Sequence, residues 1–134
     1  MRFEPLTDLK KKTRALVYIN KRCPSFDPCP DDLIKEWVKK NKTLKIYEIK
    51  DSNKTLGYVT FTIKGENLSV DTIYVYPDSR NANDYLTAAN EFAVNVAKQY
   101  GLKTISCEAI HPSLAKLYVE KFGFSLTYKF TKHV

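Results

Sequence analysis

The sequence predicts an α/β (α+β mixed-sheet) domain, an antiparallel meander followed by a β-α-β crossover. Three observations predict it. TLKIYEIK (43–50), TLGYVTFTIK (55–64) and NLSVDTIYVY (67–76) are rich in β-branched and aromatic residues and are separated by the turn signals DSNK and GEN. The segment at 82–100, ANDYLTAANEFAVNVAKQY, is long enough as a helix to return the chain to the same sheet edge, so the run TISCEA (104–109) is expected parallel to 67–76. Finally, 134 residues with 43% hydrophobic, 13% aromatic and 28% charged side chains suit one folded domain over 1–134 rather than a disordered tail.

The elements follow in order. A short strand is expected at 2–4, then a helix over 9–20 capped by Thr7 or Asp8, with Leu9, Leu16 and Ile19 facing inward at helical spacing. The proline-rich loop CPSFDPCP breaks the chain. Asp31 and Asp32 are placed to cap a second helix over 33–40, whose Leu33, Ile34, Trp37 and Val38 make one apolar face. In the 82–100 helix Leu86, Ala89, Ala93, Val96 and Tyr100 form the inward stripe, and Gly101 is a natural stop. SLAKLYVEKF (113–122) reads as a helix and FSLTYKFTK (124–132) as a final strand.

Twenty-two Lys and Arg against fifteen Asp and Glu give a formal charge of +7, which favours an anionic partner such as nucleic acid, CoA or an acidic protein surface. The clusters KKKTR (10–14) and KKNK (39–42) also suit ordinary solvated helix faces. No run reaches the roughly 18 apolar residues of a membrane span, and the amino terminus lacks the pattern of a secretory signal, so the cytoplasm is the expected compartment. Cys107, in an apolar run, is expected buried, and Cys23 and Cys29 are expected reduced. Their spacing matches no zinc pattern and the chain has only His111 and His133, so no metal site is expected.

The stretch VYPDSRNANDYL (75–86) leaves a strand through Pro77 and enters a helix, a place where unpaired N–H groups and the positive dipole end hold anions. Together with AKLYVEKFGF (115–124) and the element order, it resembles the GNAT acetyltransferase superfamily. The resemblance implies the GNAT-like acyl-CoA N-acyltransferase fold and an acetyl-CoA phosphate turn at Val75, Tyr76, Arg80, Asn81, Ala82, Asn83, Asp84 and Tyr85. Val75, Pro77 and Arg80 match the family's pattern in place, whereas Asn83 and Tyr85 stand where it has small residues. Asparagine tolerates the backbone path that glycine would take. The Tyr85 ring must either rotate away or fill the site, and Asp84 sets a carboxylate beside the same donors, so weakened acetyl-CoA binding is expected.

Aligning on Glu120, Lys121, Gly123 and Phe124 places Val119 on the tyrosine that, in members using it, protonates the departing thiolate. Tyr118 is one residue early. The general base expected for amine acetylation is Asp71, read by alternation as sharing a face with Ile73 and Val75, with Glu108 second. His111 is a further acid or base candidate. Two functions follow: a GNAT-shaped binding protein for an anionic partner with little or no acetyl transfer, which the altered turn favours, and an active acetyl-CoA-dependent N-acetyltransferase. The acceptor would lie between the first helices and the strand edge.

Overall fold

The computed structural model describes residues 1–22, 28–80, 85–108, 112–127 and 132. Its order is β1 (Arg2–Leu6), α1 (Leu9–Arg22), α2 (Asp31–Lys40), β2 (Leu44–Asp51), β3 (Lys54–Lys64), β4 (Asn67–Val75), a one-turn 3-10 helix (Pro77–Ser79), α3 (Tyr85–Gln99), β5 (Thr104–Cys107) and α4 (Pro112–Phe122). The sheet runs β1-β2-β3-β4-β5, antiparallel except for the parallel β4–β5 pair, as the crossover requires.

Alternation along β2 sorts the core into two layers. Leu44 and Ile46 point to one face, where they join Leu6 of β1, Ala15 of α1 and Ile34 and Val38 of α2. Tyr47 points to the other, where Val59, Phe61 and Leu68 pack against Ala93, Val96 and Ala97 of α3. Phe92 of α3 stacks on Phe3 of β1 at 4.2 Å between ring centroids and meets Tyr47 edge-on at 4.8 Å. Such contacts carry α3 across the whole sheet face.

Several ends differ from the sequence reading. β1 runs on through Pro5 to Leu6, because it is an edge strand and a missing N–H is tolerated there. Asp8, rather than Thr7, caps α1: its Oδ1 accepts from the Lys10 amide at 3.1 Å. Asp31 and Asp32 lie inside the first turn of α2 and do not cap it; the Pro30 carbonyl takes the Leu33 and Ile34 amides, and the two acids face the positive helix end. Leu33 and Trp37 are exposed while Ile34 and Val38 are buried, so half of the expected apolar face of α2 is outside the core. Tyr100 lies past the end of α3, exposed, with the Lys45 ammonium 4.8 Å from its ring centroid. There Gly101 (φ 65°) donates to Lys98 and Leu102 donates to Ala97, the paired bonds of a glycine-terminated helix. Residues 124–127 make no strand; the remainder of the expected last strand, 128–131, lies outside the described residues. No helix among the described residues is long and apolar enough to cross a membrane.

Gly57 of β3 faces Val75 at the end of β4. A Cβ there would fall on the Tyr74 carbonyl oxygen and within 2.8 Å of the Val75 Cα. Gly57→Ala is expected to cost about 3 kcal/mol, as overpacking against backbone does, read as a lowered midpoint in urea unfolding. An unchanged midpoint would mean that the two strands are not so close.

Candidate functional site

The pairing of β4 with β5 covers Asn67–Val70 against Thr104–Cys107 and stops, although β4 continues to Val75. Asn67 anchors its start by donating to Ser106 Oγ (2.9 Å) and accepting from Thr104 Oγ1 (2.8 Å). Beyond it β4 is bulged: Thr72 pairs with Thr60 and Val70 with Phe61, so Asp71 is the extra residue.

That bulge changes where Asp71 sits. By alternation it would share a face with Ile73 and Val75, which pack on the α3 side. Instead it lies with Thr62 and Ser69, whose hydroxyls both donate to its carboxylate, Ser69 at 2.8 Å. The expected face is thus corrected by the one-residue insertion. Asp71 lines two clefts at once: one of about 740 Å³ between α1, α2 and the sheet, and one of about 840 Å³ bounded by β5, α4 and residues 124–127.

The second cleft brings Glu108, Cys107 and Tyr118 together with Asp71. Burial pushes the Tyr118 hydroxyl above the usual tyrosine range, and the nearby Cys107 and Tyr85 push it further. Burial likewise raises the Cys107 thiol. Cys107 is half-buried rather than buried, because β5 ends there and one side opens on this cleft. Cys29 is a free thiol; Cys23 lies outside the described residues, as does His111. Val119 is exposed beside the same cleft.

The turn after β4 is partly described. The Val75 side chain is buried in the core and its carbonyl accepts from Arg80 Nε at 3.0 Å, so it offers no side chain to a ligand. The Tyr76 amide donates to Leu56 (2.8 Å) and the Arg80 amide to Pro77 (3.4 Å), so both are engaged within the protein. Asn81, Ala82, Asn83 and Asp84 lie outside the described residues. The Tyr85 ring packs against the Ile49, Leu56 and Val75 cluster. Of the two alternatives open to that ring, it takes the one turned back to the sheet. The Ser79 hydroxyl at this turn is buried and has no hydrogen-bond partner among the described residues.

Sequence reasoning missed two features. Thr62 and Ser69 carry no signal until the bulge sets them beside Asp71. Leu33 and Trp37 do carry one, since a ten-residue helix on a small sheet needs fewer inward positions than the four apolar residues supplied.

Tyr76 belongs to the same end of the sheet, its hydroxyl 3.2 Å from that of Tyr58. Burial, then the Tyr58 hydrogen bond, raises its pKa well above the ordinary value of 10.0. A raised folded-state pKa adds stability that is complete below the unfolded value and lost as pH climbs from there toward the folded value. Unfolding free energy is therefore expected to be level up to about pH 9 and to fall above about pH 10. Tyr76→Phe should make that fall shallower in denaturant titrations at stepped pH; an unchanged slope would remove Tyr76 as a contributor.

No family model matches the chain, and no curated protein sequence does. Solved structures do resemble it. A predicted acetyltransferase with acetyl-CoA from Clostridium acetobutylicum is 19% identical with a TM-score of 0.74, over 99% of this chain and 95% of that chain. The ribosomal-protein-S18-alanine N-acetyltransferase from Escherichia coli is 16% identical with a TM-score of 0.72, over 95% and 79%. The aminoglycoside antibiotic 6'-N-acetyltransferase from Acinetobacter haemolyticus is 17% identical with a TM-score of 0.69, over 100% and 99%. With its five-stranded mixed sheet, short β4–β5 pairing and crossover helix, the chain has the fold of the GNAT acetyltransferases.

Proposed function

We propose that the protein is an acetyl-CoA-dependent N-acetyltransferase acting on an amine. The observation that carries this reading is the position of Asp71, in the lining of both clefts. A carboxylate there can serve an acceptor arriving from the α1–α2 side and a donor held on the β5–α4 side.

Acetyl-CoA, when bound, supplies a thioester whose C–S bond breaks as the carbon–nitrogen bond to the amine forms. The protein's own residues then have two tasks. Asp71, held as a hydrogen-bond acceptor by Thr62 and Ser69, takes the proton that the incoming ammonium must lose. Glu108 lines the β5–α4 cleft with it and is the second carboxylate able to do so. Tyr118 is kept protonated by burial beside Cys107, and its proton goes to the departing thiolate. For the phosphates, the Arg80 side chain is the cationic group at hand among the described residues of this turn, and the Tyr85 ring is packed back on the Ile49, Leu56 and Val75 cluster.

Calorimetric titration with acetyl-CoA should give micromolar affinity, and Asp71→Asn should retain it while lowering kcat/KM for an accepted amine by about a hundredfold or more. Tyr118→Phe should lower kcat by about tenfold or more with little change in acetyl-CoA affinity. The alkaline limb of the wild-type profile should lie above the usual tyrosine value of about 10 and vanish in the phenylalanine variant. No binding of acetyl-CoA would remove this reading. In its place would stand a protein that engages an anionic partner, nucleic acid or an acidic surface, through the exposed Lys10, Lys11, Arg14, Lys39 and Lys40.

A further inference from the structure

The cleft between α1, α2 and the sheet has a composition that says more than its position does. At its rim Leu33 is 59% exposed and Trp37 is 47% exposed. The two are four residues apart on α2, so they point the same way as one apolar wall. Leu16 and Ile34 continue that wall inward. On the sheet side the lining turns polar, with Thr60, Thr62 and Thr72 around Asp71. Among the described lining residues the charged groups are Asp71 and Lys64, one of each sign.

We propose that this cleft selects a primary amine carrying a single compact apolar group, its ammonium at Asp71 and its apolar part against Leu33 and Trp37. Two large apolar side chains left on a surface mark a place that something apolar covers. Asp71 stands across the cleft from that wall with two hydroxyls fixing its oxygens, so a ligand with one apolar end and one cationic end meets both. The balance of one carboxylate against one ammonium argues against polyamines and polycationic sugars, because a second positive charge would find no counter-charge among these residues. In naming the amine as the group acetylated, the inference rests on the acyltransferase reading; the binding is tested without any acyl donor.

Trp37 is the chain's sole tryptophan, so its emission, excited where tyrosine does not absorb, reports on this cleft alone. Titration with 2-phenylethylamine should shift and quench it saturably. 2-Phenylethanol, which keeps the ring and loses the charge, should bind about threefold more weakly or worse, the scale of a solvent-accessible charge contact. Ethylamine, which keeps the charge and loses the ring, should bind about tenfold more weakly. In Asp71→Asn the preference for the amine over the alcohol should disappear, and in Leu33→Ser both phenyl ligands should weaken together. Equal affinities for the three ligands, no saturable signal, or an amine preference that survives in Asp71→Asn would overturn the proposal. If the binding pattern holds and acetyl-CoA also binds, yet no acetyl group reaches the amine, the ligand class stands and the catalytic reading falls.

Discussion

The parallel pairing of β4 with β5 is four residues long, and the candidate site follows from where it stops. Its start is pinned by the Asn67, Thr104 and Ser106 side chains. Its end coincides with the bulge at Asp71, and bulges increase local twist and end a ladder. On the α3 side Val70, Ile73, Cys107, Tyr118 and Phe124 are among the residues around a residual space of only about 20 Å³. From Asp71 to Val75, then, β4 pairs with β3 and, among the described residues, has no β5 partner.

A second constraint sets the other cleft. Tyr18 of α1 meets Tyr58, Tyr74 and Tyr76 at centroid distances of 6.4, 5.9 and 5.4 Å, with the Arg22 guanidinium 3.6 Å from the Tyr18 ring centroid. Aromatic pairs in such tilted and edge-on arrangements contribute about 0.5–1.5 kcal/mol each beyond burial. They clamp α1 to the ends of β3 and β4. Because one face of α1 is fixed there, Leu16 and Ile19 are fixed too, and they are wall residues of the cleft between α1, α2 and the sheet. One wall of that cleft is thus held through the tyrosine cluster rather than through the carboxylate's own hydrogen bonds.

How much of this was legible depended on length scale. The element order and the parallel crossover were readable because α3 is long and periodic and the three meander strands are bounded by strong turn signals. What failed was local and geometric. The bulge removed one count from the alternation, so Asp71 was assigned to the face of Ile73 and Val75 when it stands with Thr62 and Ser69. Nothing in SVDTI announces that insertion. The capping assignment at Asp31 and Asp32 failed because Pro30 presents a carbonyl in the right place, letting the helix begin two residues earlier than the apolar pattern does. Tyr85 was a true fork: its size was evident, but the hydrophobic cluster that draws it back is assembled from β2, β3 and β4, far apart in sequence.

The position of Tyr118 shows how the two kinds of reasoning constrain each other. The matched glutamate, lysine, glycine and phenylalanine around α4 put Val119 where an acid would stand, and one step along a helix turns a side chain by about 100°. Both residues border the β5–α4 cleft, but they border it differently: Val119 is 41% exposed at its outer side, whereas the Tyr118 ring reaches inward between Phe122 and Phe124 at centroid distances of 5.8 and 5.6 Å. The Phe124 amide also donates to the Tyr118 carbonyl at 3.0 Å, tying the chain after the helix back to this turn. A hydroxyl held among aromatic rings and beside a thiol stays protonated, which is what a proton donor needs, and the same ring placed one residue later would lie toward water. Register relative to a family pattern is therefore a weaker guide here than the direction of the side chain. Tyr118, not Val119, is the residue of this pair whose ring is turned inward.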